Sequence, residues 1–161
     1  MHTPVNNPME AGLANTDLLN SLGDGAYITD MNRRIVFWNR AAERITGWTH
    51  DEVVGHCCSD NILIHVDKDG RPLCSSTTCP LHRSIVTGSP SDEPLLVYAQ
   101  SRRGTRIPVE VTVSPLRDAA GRIVGGMEIF RDATGTERDL LRALLIQRGL
   151  VAADSPHPGL A

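Results

Sequence analysis

The sequence contains few aromatic residues and no long apolar run. Two Trp, two Tyr and two Phe residues make up only 4% of its 161 residues. No stretch approaches the roughly 20 apolar residues that a membrane-spanning helix requires, and the N-terminal segment lacks the basic start and apolar centre of a signal peptide. We therefore expect a cytoplasmic protein without a membrane partner.

Positive charge is not concentrated anywhere in the chain. Sixteen Lys and Arg residues are scattered along it, and 19 Asp and Glu residues give a net charge of −3. A protein that binds nucleic acid directly usually gathers its basic residues on one face or along one helix. We expect no direct nucleic-acid binding.

Common catalytic motifs are also missing. The sequence has no G-x-S-x-G elbow, no P-loop, no dinucleotide-binding glycine motif and no H-E-x-x-H. Ser, His and Asp occur without a spacing that indicates a triad. We expect no catalytic residue, and so a protein that is not an enzyme.

Hydrophobic periodicity predicts one α+β domain. Two β-rich runs joined by a tight turn, at 26–38, and three alternating runs, at 95–131, predict a five-stranded antiparallel sheet. Short helices are predicted after residue 16, at 40–46 with Asn39 as N-cap, at 50–54, and from Pro80 to about residue 86 with Cys79 as cap. These helices should cover one face of the sheet.

Leucines recur at helical spacing near the C-terminus, at positions 140, 141, 144 and 145. They predict an amphipathic helix with an apolar face suited to pairing. We therefore divide the chain into a disordered tail at 1–15, a folded domain at 16–135, a signalling or dimerisation helix at 136–149, and a Pro- and Gly-containing disordered tail at 150–161.

Short motifs in both halves of the chain resemble those of the PAS domain family. In the first half they are Gly25–Asp30, Ile35–Glu43, Thr46–Trp48 and Glu52–Gly55; in the second they are Gly104–Val109, Pro115–Asp118, Gly121–Gly125 and Arg131–Thr134. The similarity covers about residues 17 to 135. It implies a five-stranded antiparallel sheet with helices on one side.

The resemblance also implies a role. PAS domains sense ligands, light or redox state and pair through their flanking helices, so we expect a sensory module of signal transduction. It implies a homodimer that signals to an output protein, namely a kinase, a cyclase or a regulator of transcription. Asp132 and Thr134 would join the sheet to the outgoing helix.

Four cysteines, Cys57, Cys58, Cys74 and Cys79, lie within 23 residues. In a reducing compartment such a cluster is more often metal-binding or redox-active than a structural disulfide. The stretch resembles a cysteine-bearing PAS subgroup often found ahead of output domains such as diguanylate cyclases. Cys58, His65, Cys74 and Cys79 would supply three sulfurs and one nitrogen, a full tetrahedral set. Cys57 and His82 are alternative ligands.

The chemistry of this cluster has several readings. The ligand set could hold zinc, or its cysteines an iron–sulfur cluster that senses redox state or gas, although no C-x2-C pair is present. Haem, bound through His82, is the weaker cofactor alternative, since a lone helical His is more often structural. Cys79 could instead be a redox-reactive thiol at a helix N-terminus. Finally, the cysteines could be incidental to a cofactor-free dimerisation scaffold.

Overall fold

Five strands form a single antiparallel sheet in the computed structural model, which describes residues 16–150 except 59, 61 and 75–77. The strands are β1 (Gly25–Asp30), β2 (Ile35–Trp38), β3 (Leu95–Gln100), β4 (Arg106–Arg117) and β5 (Ile123–Asp132). Their order across the sheet is β2-β1-β5-β4-β3, and every neighbouring pair is antiparallel. The predicted fold class is confirmed.

The helices are α1 (Thr16–Asn20), α2 (Arg40–Thr46), α3 (His50–Val53), α4 (Pro80–Thr87) and α5 (Thr134–Gln147). Helix α2 packs against β1, α3 against β2, and α4 against β4 and β5. Gly126 lets α4 approach the sheet closely, because a Cβ atom there would lie 2.7 Å from Cδ1 of Leu81. Among the described helices, none is long and apolar enough to cross a membrane.

The core lies between the sheet and these helices. Tyr27, Trp38 and Phe130 contact one another with ring centroids 5.4–6.3 Å apart. On β4 the alternating Val109, Val111 and Val113 face the same core and are at most 5% exposed. The period of two in β4 thus produces the buried face that it predicts.

Asn39 occupies the predicted N-cap of α2. Its Oδ1 accepts hydrogen bonds from the backbone N–H groups of Ala42 and Ala26, both at 2.9 Å. Its Nδ2 donates to the carbonyls of Leu19 and Asp24. One buried side chain therefore caps α2 and also ties it to β1, to α1 and to the segment that follows α1.

Several predicted boundaries move by a few residues. Helix α5 begins at Thr134, two residues before the predicted start at 136, and ends at Gln147. Strand β4 continues to Arg117 because its pairing with β5 persists to the Arg117–Ile123 pair. Of the predicted disordered tails, residues 1–15 and 151–161 lie outside the described residues.

Residues 56–79, here called the cysteine loop, run from α3 to α4 and pass beside the free edge of β3. Val66 exchanges two backbone hydrogen bonds with Tyr98, of 3.0 and 2.9 Å, and the N–H of Gln100 donates to the carbonyl of Leu63. The described part of the loop therefore covers an edge that would otherwise expose unpaired backbone groups.

Candidate functional site

Three of the four cysteines gather on the core side of the cysteine loop. Cys58 and Cys79 are 3% and 6% exposed and belong to the hydrophobic core. Cys74 is half-buried, and its sulfur accepts a hydrogen bond from the backbone N–H of His65. Cys74 and Cys79 lie close enough to Cys58 to raise its pKa. We call Cys58, Cys74 and Cys79 the thiol cluster; all three are free thiols.

Cys57 lies outside the core, beside the β1–β2 turn. It pairs with Arg34 in a single antiparallel bridge beside β2, and its sulfur lies 3.7 Å from the carbonyl oxygen of Asn32 in the β1–β2 turn. Successive residues of an extended strand point to opposite sides. Cys58, the next residue, therefore enters the core whereas Cys57 stays near the surface.

His65 is buried at the inner side of the loop, 8% exposed. Its Nε2 lies 3.9 Å from Oε2 of Glu128, beyond hydrogen-bond distance. Burial, and then the positive charge of Arg106, lower the pKa of His65 to about 4. The imidazole is therefore neutral at physiological pH.

Glu128 is a site residue that the sequence analysis missed. It lies on the inner face of β5, only 2% exposed, and is hydrogen-bonded to the Tyr27 hydroxyl of the adjacent strand. Its Oε2 has no hydrogen-bond partner among the described residues. A signal existed in the sequence: alternation along β5 places Glu128 on the same face as Gly126 and Phe130, so an acidic residue interrupts an apolar face.

Arg33 is a cation that lies beside the thiol cluster. It lies in the β1–β2 turn with a positive φ of 62°, and its Nη1 donates to the carbonyl oxygen of Cys74 at 3.2 Å. Burial acts to lower the pKa of the guanidinium. Its hydrogen bond with Cys79 and the neighbouring thiols act in the opposite direction and prevail, so the pKa is raised overall. One turn residue thus connects the first hairpin with both ends of the segment between Cys74 and Cys79.

The electrostatic environment favours neutral thiols at two of these positions. Burial is the main cause that raises the pKa of both Cys58 and Cys74, and the Glu128 carboxyl adds to the effect. Metal ligation requires thiolates. Within the described part of the chain, no group of three or more Cys, His, Asp or Glu side chains is arranged to hold a metal ion. The predicted ligand set of Cys58, His65, Cys74 and Cys79 stays a prediction.

The remaining predicted residues lie outside this cluster. His82 is half-buried on α4. At the end of β5, the Oδ1 of Asp132 accepts hydrogen bonds from the backbone N–H of Thr134, at 2.9 Å, and from its hydroxyl. These bonds close the connection between the sheet and the first turn of α5, as expected for residues that join the two elements.

The antiparallel sheet thus holds a buried polar cluster beneath a long loop and leads directly into an outgoing helix. The chain belongs to the PAS family: the family model described as "PAS fold" matches residues 16–133. The resemblance found in the sequence motifs is confirmed, and the chain is a PAS sensory domain of the kind found in signalling proteins.

Two similar proteins are much longer than this chain. A phytochrome of Pinus sylvestris is 31% identical over 112 residues, covering 69% of this chain and 10% of that protein. The probable diguanylate cyclase DgcE of Escherichia coli is 26% identical over 126 residues, covering 78% and 11%. The chain thus spans about a tenth of the length of these relatives.

The fold is also found in the VqmA dimer of Vibrio cholerae. The TM-score is 0.59 at 20% identity, over 77% of this chain and 52% of that chain. At this level of identity the likeness shows the shared fold alone.

Proposed function

We propose that this PAS domain is a redox sensor that detects oxidants through the thiol cluster and signals to a partner through α5. The observation that carries the proposal is the convergence of three free cysteines and one arginine between the cysteine loop and the sheet. In this function the domain is a regulator and catalyses no reaction of its own. Thiol oxidation takes the place of the metal chemistry that the sequence suggested.

Cys79 is the sulfur that we assign as the site of first oxidation. It immediately precedes Pro80 at the N-terminus of α4 and is hydrogen-bonded to Arg33, which ties it to the β1–β2 turn. A peroxide would convert the Cys79 thiol to a sulfenic acid and release one water molecule. Attack by the thiol of Cys58 or Cys74 would then form a disulfide and release a second water molecule.

The signal would leave through β5. The Glu128 carboxyl faces the thiol cluster from β5, and the same strand ends at Asp132, which holds the first turn of α5 through Thr134. A disulfide that drew the loop together would change the packing against β5 and thereby the direction of α5. This route needs no contact between the cluster and the partner.

Helix α5 supplies the surface for pairing. Leu140, Leu141 and Leu144 are each more than half exposed and share one side of the helix. Such an apolar stripe favours a homodimer, a state that the name of the VqmA structure also records for that protein. The output partner would be a kinase, a cyclase or a transcriptional regulator, and the similarity to a probable diguanylate cyclase supports the cyclase.

The test is disulfide mapping by mass spectrometry on the whole chain, reduced and then treated with hydrogen peroxide. We expect a bond from Cys79 to Cys58 or Cys74 that dithiothreitol reverses and that Cys79→Ser abolishes. Cys57→Ser is the matched control, because Cys57 is adjacent in sequence but lies outside the thiol cluster. Equal oxidation of Cys57, or no disulfide in the folded protein, would contradict the proposal.

Metal analysis of protein purified without oxygen separates this function from the metal alternatives. Stoichiometric zinc, or iron with acid-labile sulfide, that is lost in Cys58→Ser and Cys79→Ser would show a metal sensor instead. A domain that dimerises identically when reduced, oxidised or lacking all three thiols would be a cofactor-free scaffold.

A further inference from the structure

Two of the three sulfurs of the thiol cluster are almost inaccessible to solvent. Cys58 and Cys79 are 3% and 6% exposed, and they belong to the same core as Leu63 and Leu81, which are each 1% exposed. The third thiol, Cys74, is half-buried. An oxidant that reaches Cys79 must therefore pass between packed side chains, and because the interior is closely packed this becomes more costly as the oxidant becomes larger.

The cysteine loop that covers these sulfurs is held at several points. Besides its pairing with β3, the carbonyl of Ile64 accepts a hydrogen bond of 2.5 Å from Nη1 of Arg106. The N–H of Leu73 donates to the carbonyl of His65 at 2.8 Å. Moving the loop away from the sheet would break several hydrogen bonds at once, so access by loop opening is disfavoured.

A cleft of about 520 Å³ beside α4 passes Cys79 without reaching its sulfur. Thr78 and Pro80, the two chain neighbours of Cys79, line this cleft together with Val111 and Val113 of β4, whereas Cys79 does not. The cleft has the volume of a small-molecule site. A bulky oxidant can therefore approach the backbone here, but the Cys79 side chain lies in the core behind it.

On the side of the β1–β2 turn, the Arg33 side chain occupies one approach to the Cys79 sulfur. Its guanidinium is hydrogen-bonded to that sulfur and, through Nη1, to the carbonyl oxygen of Cys74 at 3.2 Å. One planar group thus holds both ends of the segment from Cys74 to Cys79. Arg34, the next residue, makes a different contact, because its Nη1 donates to the carbonyl of Gly55 at 2.8 Å.

We propose that the thiol cluster is selective for hydrogen peroxide over bulky organic hydroperoxides, and that Arg33 is a specificity-determining residue that closes the site to the larger oxidants. This inference rests on the proposed oxidation of Cys79. The Cys79 sulfur bonds to the nearer peroxide oxygen as the O–O bond breaks; the sulfur loses two electrons, and the leaving oxygen takes the thiol proton. Because the sulfur and both oxygens must lie nearly in line, the leaving group needs room of its own. It is one water molecule from hydrogen peroxide but a whole alcohol from an organic hydroperoxide.

The measurement is the rate at which Cys79 loses its free thiol, followed by differential alkylation and mass spectrometry of the whole chain. It is made with hydrogen peroxide and with cumene hydroperoxide on Cys74→Ser, which prevents oxidation relayed from the half-buried thiol. The ratio of the two rates is divided by the same ratio for the chain unfolded in urea, which removes the intrinsic difference between the oxidants. We expect this normalised preference for hydrogen peroxide to be at least about tenfold in the folded protein. A value near one would overturn the selectivity.

Adding Arg33→Asn tests the residue assigned to selectivity. Asparagine is shorter and tolerates the positive φ of 62° at this position, so we expect the variant to fold. The normalised preference should fall at least about threefold because cumene hydroperoxide alone reacts faster, and Arg34→Asn, the matched control, should leave it unchanged. An unchanged preference, or an equal rise in both rates as expected from a loosened core, would overturn the role of Arg33.

The disulfide mapping described above decides the sensor function separately. Selective loss of the Cys79 thiol without a disulfide in the wild type would contradict the sensor function and support the selectivity. A disulfide that forms in the wild type, together with equal normalised rates for the two hydroperoxides, would support the sensor function and overturn the selectivity.

Discussion

Stability measured against pH should show two opposing contributions inside the core, one from Glu128 and one from His65. Glu128 has a raised pKa in the folded state, so the folded state binds more protons than the unfolded state between pH 4.5 and about 7. Its contribution is therefore present at low pH and lost as pH rises through that window. His65 has a pKa lowered from 6.5 to about 4, so its contribution is lost as pH falls through that window.

The two magnitudes are nearly equal. Each shift covers between two and three pH units, and at 1.36 kcal/mol per unit each contribution is worth about 3 kcal/mol. The slopes oppose each other between about pH 4.5 and 6.5, where the two windows overlap. In the wild type, the two contributions should therefore nearly cancel, so that this pair changes the stability little over that pH range. When one of the two residues is substituted, the pH dependence due to the remaining residue should become visible.

Urea unfolding between pH 4 and pH 8 checks this reasoning. Stability of Glu128→Gln should rise with pH by about 3 kcal/mol up to pH 6.5, and stability of His65→Asn should fall by about the same amount from pH 4.5 to 7. Stabilities are compared as differences from the double variant, which removes the contributions of surface groups. Two flat profiles of stability against pH in the single variants, or two slopes of the same sign, would refute the reasoning that Glu128 and His65 are a neutral pair. A steep loss of stability in the wild type alone would indicate that the two side chains form an ion pair instead.

Two further substitutions test the support of the site and its output. Asn39→Ala should lower the free energy of unfolding in urea by about 4 kcal/mol, because four backbone groups lose their hydrogen-bond partner. Asn20→Ala removes one exposed hydrogen bond and should lower it by less than about 1 kcal/mol. Similar losses in the two variants would contradict the assigned network. Leu141→Arg should weaken dimerisation at least about tenfold in analytical ultracentrifugation. An unchanged dimer would place the interface elsewhere.

The elements that could be predicted from the sequence are those whose causes are local. Asn39 caps α2 because its side chain reaches backbone groups three residues ahead, and Gly47 ends that helix because its φ of 79° suits glycine. The alternation Val109, Val111 and Val113 sets the buried face of β4 within the strand itself. Motifs of this kind were sufficient to identify the five strands and the PAS fold.

The orientation of the adjacent cysteines could not be predicted, because it depends on a distant part of the chain. The N–H of Ile35 donates to the carbonyl of His56, and Arg34 pairs with Cys57. This short pairing with β2 determines that Cys57 faces the β1–β2 turn and Cys58 the core. Spacing between cysteines along the loop carries no information about that pairing, so the ligand set could not be narrowed from sequence.

Glu128 shows how a different weighting of the same sequence would have found the site. Cysteine and histidine drew attention because they are common metal ligands, whereas an acidic residue in a strand is usually exposed. The position of Glu128, two residues from Phe130 on a strand whose alternate residues face the core, already placed a carboxyl among apolar side chains. Burial raises the pKa of Glu128, because an uncompensated charge inside the core is costly.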